Sequence, residues 1–200
     1  MMKLYDIDLS GNCHKVRLFL SLLNVAYEKR PVNYKQGELK SPEFLALNPL
    51  GQVPVLVDGE VVIRDSQAIL VYLARKYDAD DWLWLPLDPA AMAKIMQWLS
   101  FAVNEINNSL FLARLYFLFD ADVDLEKAQT KSKEVLELLN KHLENREWLE
   151  FNRPTLADIA CFPYVGLAPD GKIALDPYPH VVAWIKRIQR LSHYVPMPGL

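Results

Sequence analysis

Cysteine, net charge and long apolar runs are all in short supply in this chain of 200 residues. Two cysteines, Cys13 and Cys161, are too few for a disulfide framework and point to a reducing compartment. Lys plus Arg number 22 and Asp plus Glu 25, a net charge of −3 that gives no electrostatic reason to expect nucleic acid or an anionic membrane as partner. The most apolar stretch, Leu110 to Phe119, is interrupted by Arg114 and is too short to cross a bilayer. The N-terminus, Met1 to Asp8, carries acids where a signal peptide needs an apolar run. No repeat or low-complexity tract is present. What remains, 52% hydrophobic and 24% charged residues, is the composition of a folded chain and excludes wholesale disorder. The expectation is a soluble, cytoplasmic protein.

The chain divides into two halves of different character. From Lys3 to Tyr77 the elements are short and alternate in type. Lys3–Ile7 suits a strand, and Cys13 to Asn24 carries the wide apolar face of a buried helix through Val16, Leu18, Phe19, Leu20, Leu22 and Leu23. Tyr27–Val32 reads as a second strand. Ser41 and Pro42 open a short helix as N-cap and first helical residue. Val53–Val57 and Val61–Ile63 flank the turn Asp58-Gly59-Glu60 as a hairpin. Asp65 to Tyr77 is a helix with Ile69, Leu70, Leu73 and Tyr77 inward. This order predicts a small α/β domain with a mixed sheet over residues 1–78. The polar and then aromatic, proline-broken run from Asp78 to Pro86 predicts a linker over 79–88. Beyond it only helices are expected: Pro89 to about Phe119, Leu125 to Leu143, one capped by Thr155-Leu156-Ala157-Asp158, and Pro179 to His193. Residues 89–200 therefore form an all-helical bundle domain.

Three blocks carry more than fold. They are Leu4-Tyr5 with Ser10-Gly11-Asn12-Cys13-His14-Lys15-Val16-Arg17, then Asn48-Pro49-Leu50-Gly51-Gln52-Val53-Pro54-Val55-Leu56 running on to Asp65-Ser66-Gln67-Ala68-Ile69, and Pro154-Thr155-Leu156-Ala157-Asp158. Their order and spacing resemble the cytosolic glutathione S-transferase family, in its bacterial, serine-type, theta-, zeta- and phi-like forms, over nearly the whole chain. The resemblance implies a thioredoxin-like N-terminal domain followed by an all-α C-terminal domain. It also implies a detoxification enzyme that activates the glutathione thiol as thiolate for attack on small apolar electrophiles. Glutathione is then a co-substrate, and no metal or other cofactor is needed.

The resemblance assigns a glutathione cradle to the second block. Val53-Pro54 is similar to the family's cis-proline turn, whose exposed backbone can pair with a peptide ligand as another strand would. Asp65 and Ser66 open a helix, where an anion is favoured. Ser66 would take the γ-glutamyl carboxylate and Asp65 the ammonium group. The family more often has Glu at the Asp65 position, so the charge is kept and the reach shortened. Gln52 and Lys40 resemble contacts to the glycyl end. The plainer alternatives, a helix cap for Asp65-Ser66 and a solvated lysine for Lys40, stay open.

The first block carries the chemistry. A free thiol has a pKa of about 8.5, so a donor to sulfur at a helix N-terminus would raise the thiolate fraction. Ser10 falls where theta- and zeta-like enzymes place their activating serine, and Asn12 is its competitor; a simple N-cap is the bland alternative for Ser10. Tyr5 reads as a packed aromatic, Cys13 as a small buried residue of a first helical turn. His14 has no companion at metal-ligand spacing, and no metal site is expected.

The electrophile pocket is expected on the long helix, at Phe101, Asn104, Glu105 and Asn108. The same polar band suits a subunit interface as well. The family's usual two-fold dimer makes a homodimer the expected assembly, with Ala68, Tyr72 and Arg75 meeting Met92, Ile95 and Met96. Two competing functions remain: glutathione-dependent thiol–disulfide exchange or peroxide reduction, and a non-catalytic transferase-like binding module.

Overall fold

The structure, a computed structural model, describes residues 1–78 and 83–200. The expected linker at 79–88 lies partly outside the described residues, at 79–82. The N-terminal half is built as strand β1 (Lys3–Asp6), helix α1 (Gly11–Leu22), strand β2 (Glu28–Pro31), helix α2 (Pro42–Leu47), strands β3 (Val55–Asp58) and β4 (Val61–Arg64), and helix α3 (Ser66–Tyr77). The sheet order is β2-β1-β3-β4. β1 and β2 run parallel across the α1 crossover, while β3 is antiparallel to both β1 and β4. This is the mixed sheet that the strand–helix alternation calls for.

Why these segments adopt these forms is local. Ser41 Oγ accepts from Phe44 N at 3.1 Å, and Pro42 fills the first helical position of α2. Asp65 sits at φ 84, and its Oδ1 accepts from Gln67 N at 2.9 Å and Ala68 N at 3.0 Å to start α3. α1 and α3 bury Val16, Phe19, Leu20, Ile69, Leu70 and Leu73 on one face of the sheet. The other face holds a small core of Val32, Phe44 and Val55, with Tyr5 packed edge-on against Phe44 at 6.0 Å.

The C-terminal half comprises α4 (Pro89–Phe101), a π-helical stretch (Ala102–Phe111), α5 (Leu112–Phe119), α6 (Leu125–His142), α7 (Leu156–Gly166) and α8 (Pro179–Gln189). The single straight helix expected from Pro89 to Phe119 is therefore interrupted. Ser109 Oγ donates to the Glu105 carbonyl at 2.6 Å, and Asn108 leaves helical geometry at φ −80, ψ 15. A side chain competing for an i−4 carbonyl is a known cause of a wide, bent turn. α7 is buried over its whole length, because α1, α3, α4 and α8 surround it. Its Thr155–Asp158 capping box forms, and Asp158 additionally accepts from Leu149 N at 3.0 Å and the Trp184 indole at 2.8 Å.

The two halves share one continuous core. Trp84 packs edge-on against Phe19 at 5.2 Å, and its carbonyl accepts from Leu156 N at 3.1 Å, so this part of the connection is wedged in place. Some proposed dimer contacts turn inward instead. Ile95 is completely buried in its own subunit, and Arg75 donates to the Leu85 and Pro86 carbonyls, because α4 packs on α7 with that face. Among the described residues no helix is long and apolar enough to cross a membrane.

Candidate active site

One small cavity of about 150 Å³ collects Asn12, Asn48, Leu50, Gln52, Val53, Pro54, Arg64, Asp65 and Ser66. Three chain segments meet there: the first turn of α1, the loop before β3, and the start of α3. Asn48 shapes the middle segment. Its Nδ2 donates to the Gln52 carbonyl at 2.7 Å, and its Oδ1 accepts from Leu50 N at 3.1 Å. Gly51, at φ +63, lets the loop pass under Lys40; a Cβ there would stand 2.8 Å from the Leu39 carbonyl and 3.0 Å from the Lys40 ammonium. The Val53-Pro54 peptide is cis. Lys40 is exposed and borders the loop rather than lining the cavity.

At the first turn of α1, the structure separates Ser10 from Asn12. Ser10 Oγ accepts from Cys13 N at 3.2 Å, the N-cap bond, and Ser10 is not among the cavity's lining residues. Asn12 lines the cavity. Its Oδ1 accepts from Lys15 Nζ at 2.9 Å and from Ser66 Oγ at 3.4 Å. Asn12 N donates to the Tyr164 hydroxyl at 3.3 Å. Gly11 makes this approach of α1 to α7 possible, since a Cβ would stand 2.6 Å from the Tyr164 ring. Burial pushes the Tyr164 phenol well above its ordinary range, so it is a neutral hydroxyl here.

The neighbouring titratable groups are set by burial. The Cys13 thiol is fully enclosed and pushed up to about 12, which leaves it neither nucleophilic nor accessible. The His14 ring is driven down to about 4 by burial, and its Nε2 contacts the Val195 carbonyl at 2.8 Å. The Lys15 ammonium is depressed to about 8, again chiefly by burial.

The residues expected to line an electrophile pocket are not brought to this cavity. Phe101 packs on Trp98 at 5.3 Å, and Asn104 donates to Glu105, which pairs with Lys131 of α6. Asn108 lines a separate groove between the long helix and α6. The stretch that carries this polar band, Ala102–Phe111, is π-helical, so its side chains do not follow straight α-helical spacing. Sequence reasoning also missed Lys15, Arg64 and Tyr164. None of the three left a distinct signal; Lys15 stands among His14 and Arg17 and reads as one more charge of a polar first turn.

A mixed four-stranded sheet with a polar cavity beside its cis-proline loop, joined to a helical half, defines a two-domain protein of thioredoxin-like and all-helical parts. Comparison with known proteins agrees: the glutathione S-transferase N-terminal domain family matches residues 1–75 and the C-terminal domain family residues 91–191. The chain belongs to the cytosolic glutathione S-transferase family and is a glutathione transferase. It is 33% identical to glutathione S-transferase 3 of Zea mays, over 98% of this chain and 96% of that one. It is equally 33% identical to the disulfide-bond oxidoreductase YfcG of Escherichia coli, over 89% and 86%. A glutathione S-transferase structure from Pseudomonas fluorescens superposes with a TM-score of 0.91 at 30% identity, covering 98% of both chains.

Proposed function

We propose that this chain adds the glutathione thiolate to small apolar electrophiles, with Asn12 as the side-chain donor to sulfur. The observation that supports this is the convergence of Asn12, Gln52, Val53, Pro54, Asp65 and Ser66 on one cavity. Ser66 and the α3 N-terminus take the γ-glutamyl carboxylate. Asp65 spends Oδ1 on the cap and offers Oδ2 to the γ-glutamyl ammonium group. Val53 pairs with the cysteinyl backbone, while Gln52 and Lys40 hold the glycyl end. The thiol proton leaves to solvent, Asn12 Nδ2–H stabilises the sulfur anion, and the thiolate attacks carbon. In substitution the leaving group departs with its electron pair; in conjugate addition the resulting carbanion is protonated from water. Ser10 serves as the cap that fixes the α1 N-terminus.

The electrophile itself docks on α5 rather than on the 101–108 band. Arg114 donates to the Leu9 carbonyl at 2.8 Å, holding α5 against the loop before α1, and Tyr34 packs edge-on against Phe119 at 5.8 Å. Tyr116, Phe117, Leu118 and Phe119 offer side chains 36–41% exposed on this helix. A dimer and a role in detoxification accord with the family.

The test is retention on immobilised glutathione, followed by turnover on an aryl halide, an enone and a mixed disulfide. Ser66→Ala is expected to raise the KM for glutathione roughly ten- to a hundredfold, the loss of a charge-assisted contact of about 1.5–3 kcal/mol. Unchanged glutathione affinity in Ser66→Ala removes the cradle. The similarity to a disulfide-bond oxidoreductase favours a second reading, in which the same thiolate attacks a disulfide sulfur and expels a thiol. Cys13 is enclosed, so in this reading glutathione's own sulfur is the redox group. Turnover confined to the mixed disulfide selects this reading.

A further inference from the structure

Lys15 is left without a role by the chemistry above, yet it is only 1% exposed and stands one helical turn from Asn12. A buried ammonium is costly unless it is paired, and among the described residues Lys15 has no salt-bridge partner. Its contacts are the Asn12 Oδ1 at 2.9 Å and the Tyr164 ring, whose centroid lies 5.4 Å from Nζ. An apolar side chain would fill the same space between α1 and α7 with no desolvation. The arrangement is explained if the lysine acts on its hydrogen-bond partner.

We propose that Lys15 is a positioning residue of the glutathione site, holding the Asn12 amide so that its NH2 group faces the sulfur. The proposal rests on Asn12 being the donor to sulfur. Lysine only donates, so the Asn12 atom it contacts must be the carbonyl oxygen. Ser66 Oγ supports the same orientation from α3. The other end of the amide, Nδ2, has no protein partner among the described residues and belongs to a side chain that lines the cavity. Without Lys15 the amide can turn over and offer its oxygen to the thiolate, which repels it. The groups acting on Lys15 are Asn12 from its own helix, Tyr164 and Cys161 from α7, and Asp65 from the start of α3. Burial lowers the ammonium to about 8, so the charge is present at neutral pH.

The test is the pKa of bound glutathione, read from thiolate ultraviolet absorbance and from the pH profile of kcat, in Lys15→Met, Lys15→Gln, Asn12→Ala and the Lys15→Met/Asn12→Ala pair. Lys15→Met is expected to raise that pKa by about one unit, roughly a tenfold loss of thiolate at neutral pH. Its KM for glutathione should stay within about twofold, kcat should recover at alkaline pH, and unfolding should need no less urea. Lys15→Gln, which keeps a donor without the charge, should shift in the same direction and serves if the methionine variant does not fold. The pair should be no worse than Asn12→Ala alone. A thiol pKa unchanged in both lysine variants but raised in Asn12→Ala overturns the role of Lys15 and leaves the Asn12 reading intact. A pKa unchanged in Asn12→Ala overturns the Asn12 reading itself, and this proposal with it. Additive losses in the pair refute action through Asn12.

Discussion

His14 allows a quantitative test of how α1 is built into the helical domain. Its ring is completely buried against Phe162 and Tyr194, its Nε2 bonds the Val195 carbonyl, and its Nδ1 has no partner. Burial lowers its pKa from 6.5 to about 4. Between these values the unfolded chain takes up a proton that the folded chain does not, so stability is present above the unfolded value and lost as pH falls. From about pH 7.5 to about pH 5 the loss works out at about 2 kcal/mol. His14→Phe keeps a ring in the site but leaves the Val195 carbonyl without its bond, a cost of about 1 kcal/mol at every pH. Urea unfolding followed by tryptophan fluorescence should therefore find the variant less stable at neutral pH and more stable at about pH 5, the two curves crossing near pH 6. Asp158, raised by burial to about 6, works in the opposite direction, losing stability as pH rises from its ordinary 3.8. It is present in both proteins and cancels in the comparison. Parallel curves for the two proteins would show that His14 titrates normally and that the packing argument is wrong.

Two further outcomes follow from the same geometry. Asp158→Ala strips the acceptor from Leu149 N, Thr155 N and the Trp184 indole together, three donors left buried. A loss of roughly 3 kcal/mol or more in urea unfolding is expected, and a loss under about 1 kcal/mol would refute the cap's importance. Cys13, enclosed and with its thiol pushed up to about 12, should resist an alkylating reagent in the folded protein and react only as fast as the chain opens. Rapid labelling without loss of structure would place it in reach of solvent and reopen a cysteine-based redox route.

What the sequence determined by itself was whatever depends on near neighbours along the chain. The strand–helix alternation up to Tyr77, the Ser41 and Asp65 caps and the Thr155–Asp158 box are each closed by bonds spanning two or three residues, and residue spacing alone reveals them. That Gln52, Val53, Pro54, Asp65 and Ser66 share one cavity follows for a related reason: they lie in two short segments joined by the β3–β4 hairpin. Three decisions belonged to the tertiary structure. Ser10 and Asn12 are equivalent candidates in one turn of helix, and only the docking of α7, through the Tyr164 hydroxyl, together with Ser66 from α3, sorts the cap from the side chain facing the cavity. The long helix widens into a π-helical stretch over Ala102–Phe111, a change of turn geometry that apolar periodicity does not record. Lys15 reads locally as a surface charge. It became a buried one because Tyr164, 149 positions away in sequence, packs over its ammonium, and contacts between residues so far apart are written in no local pattern.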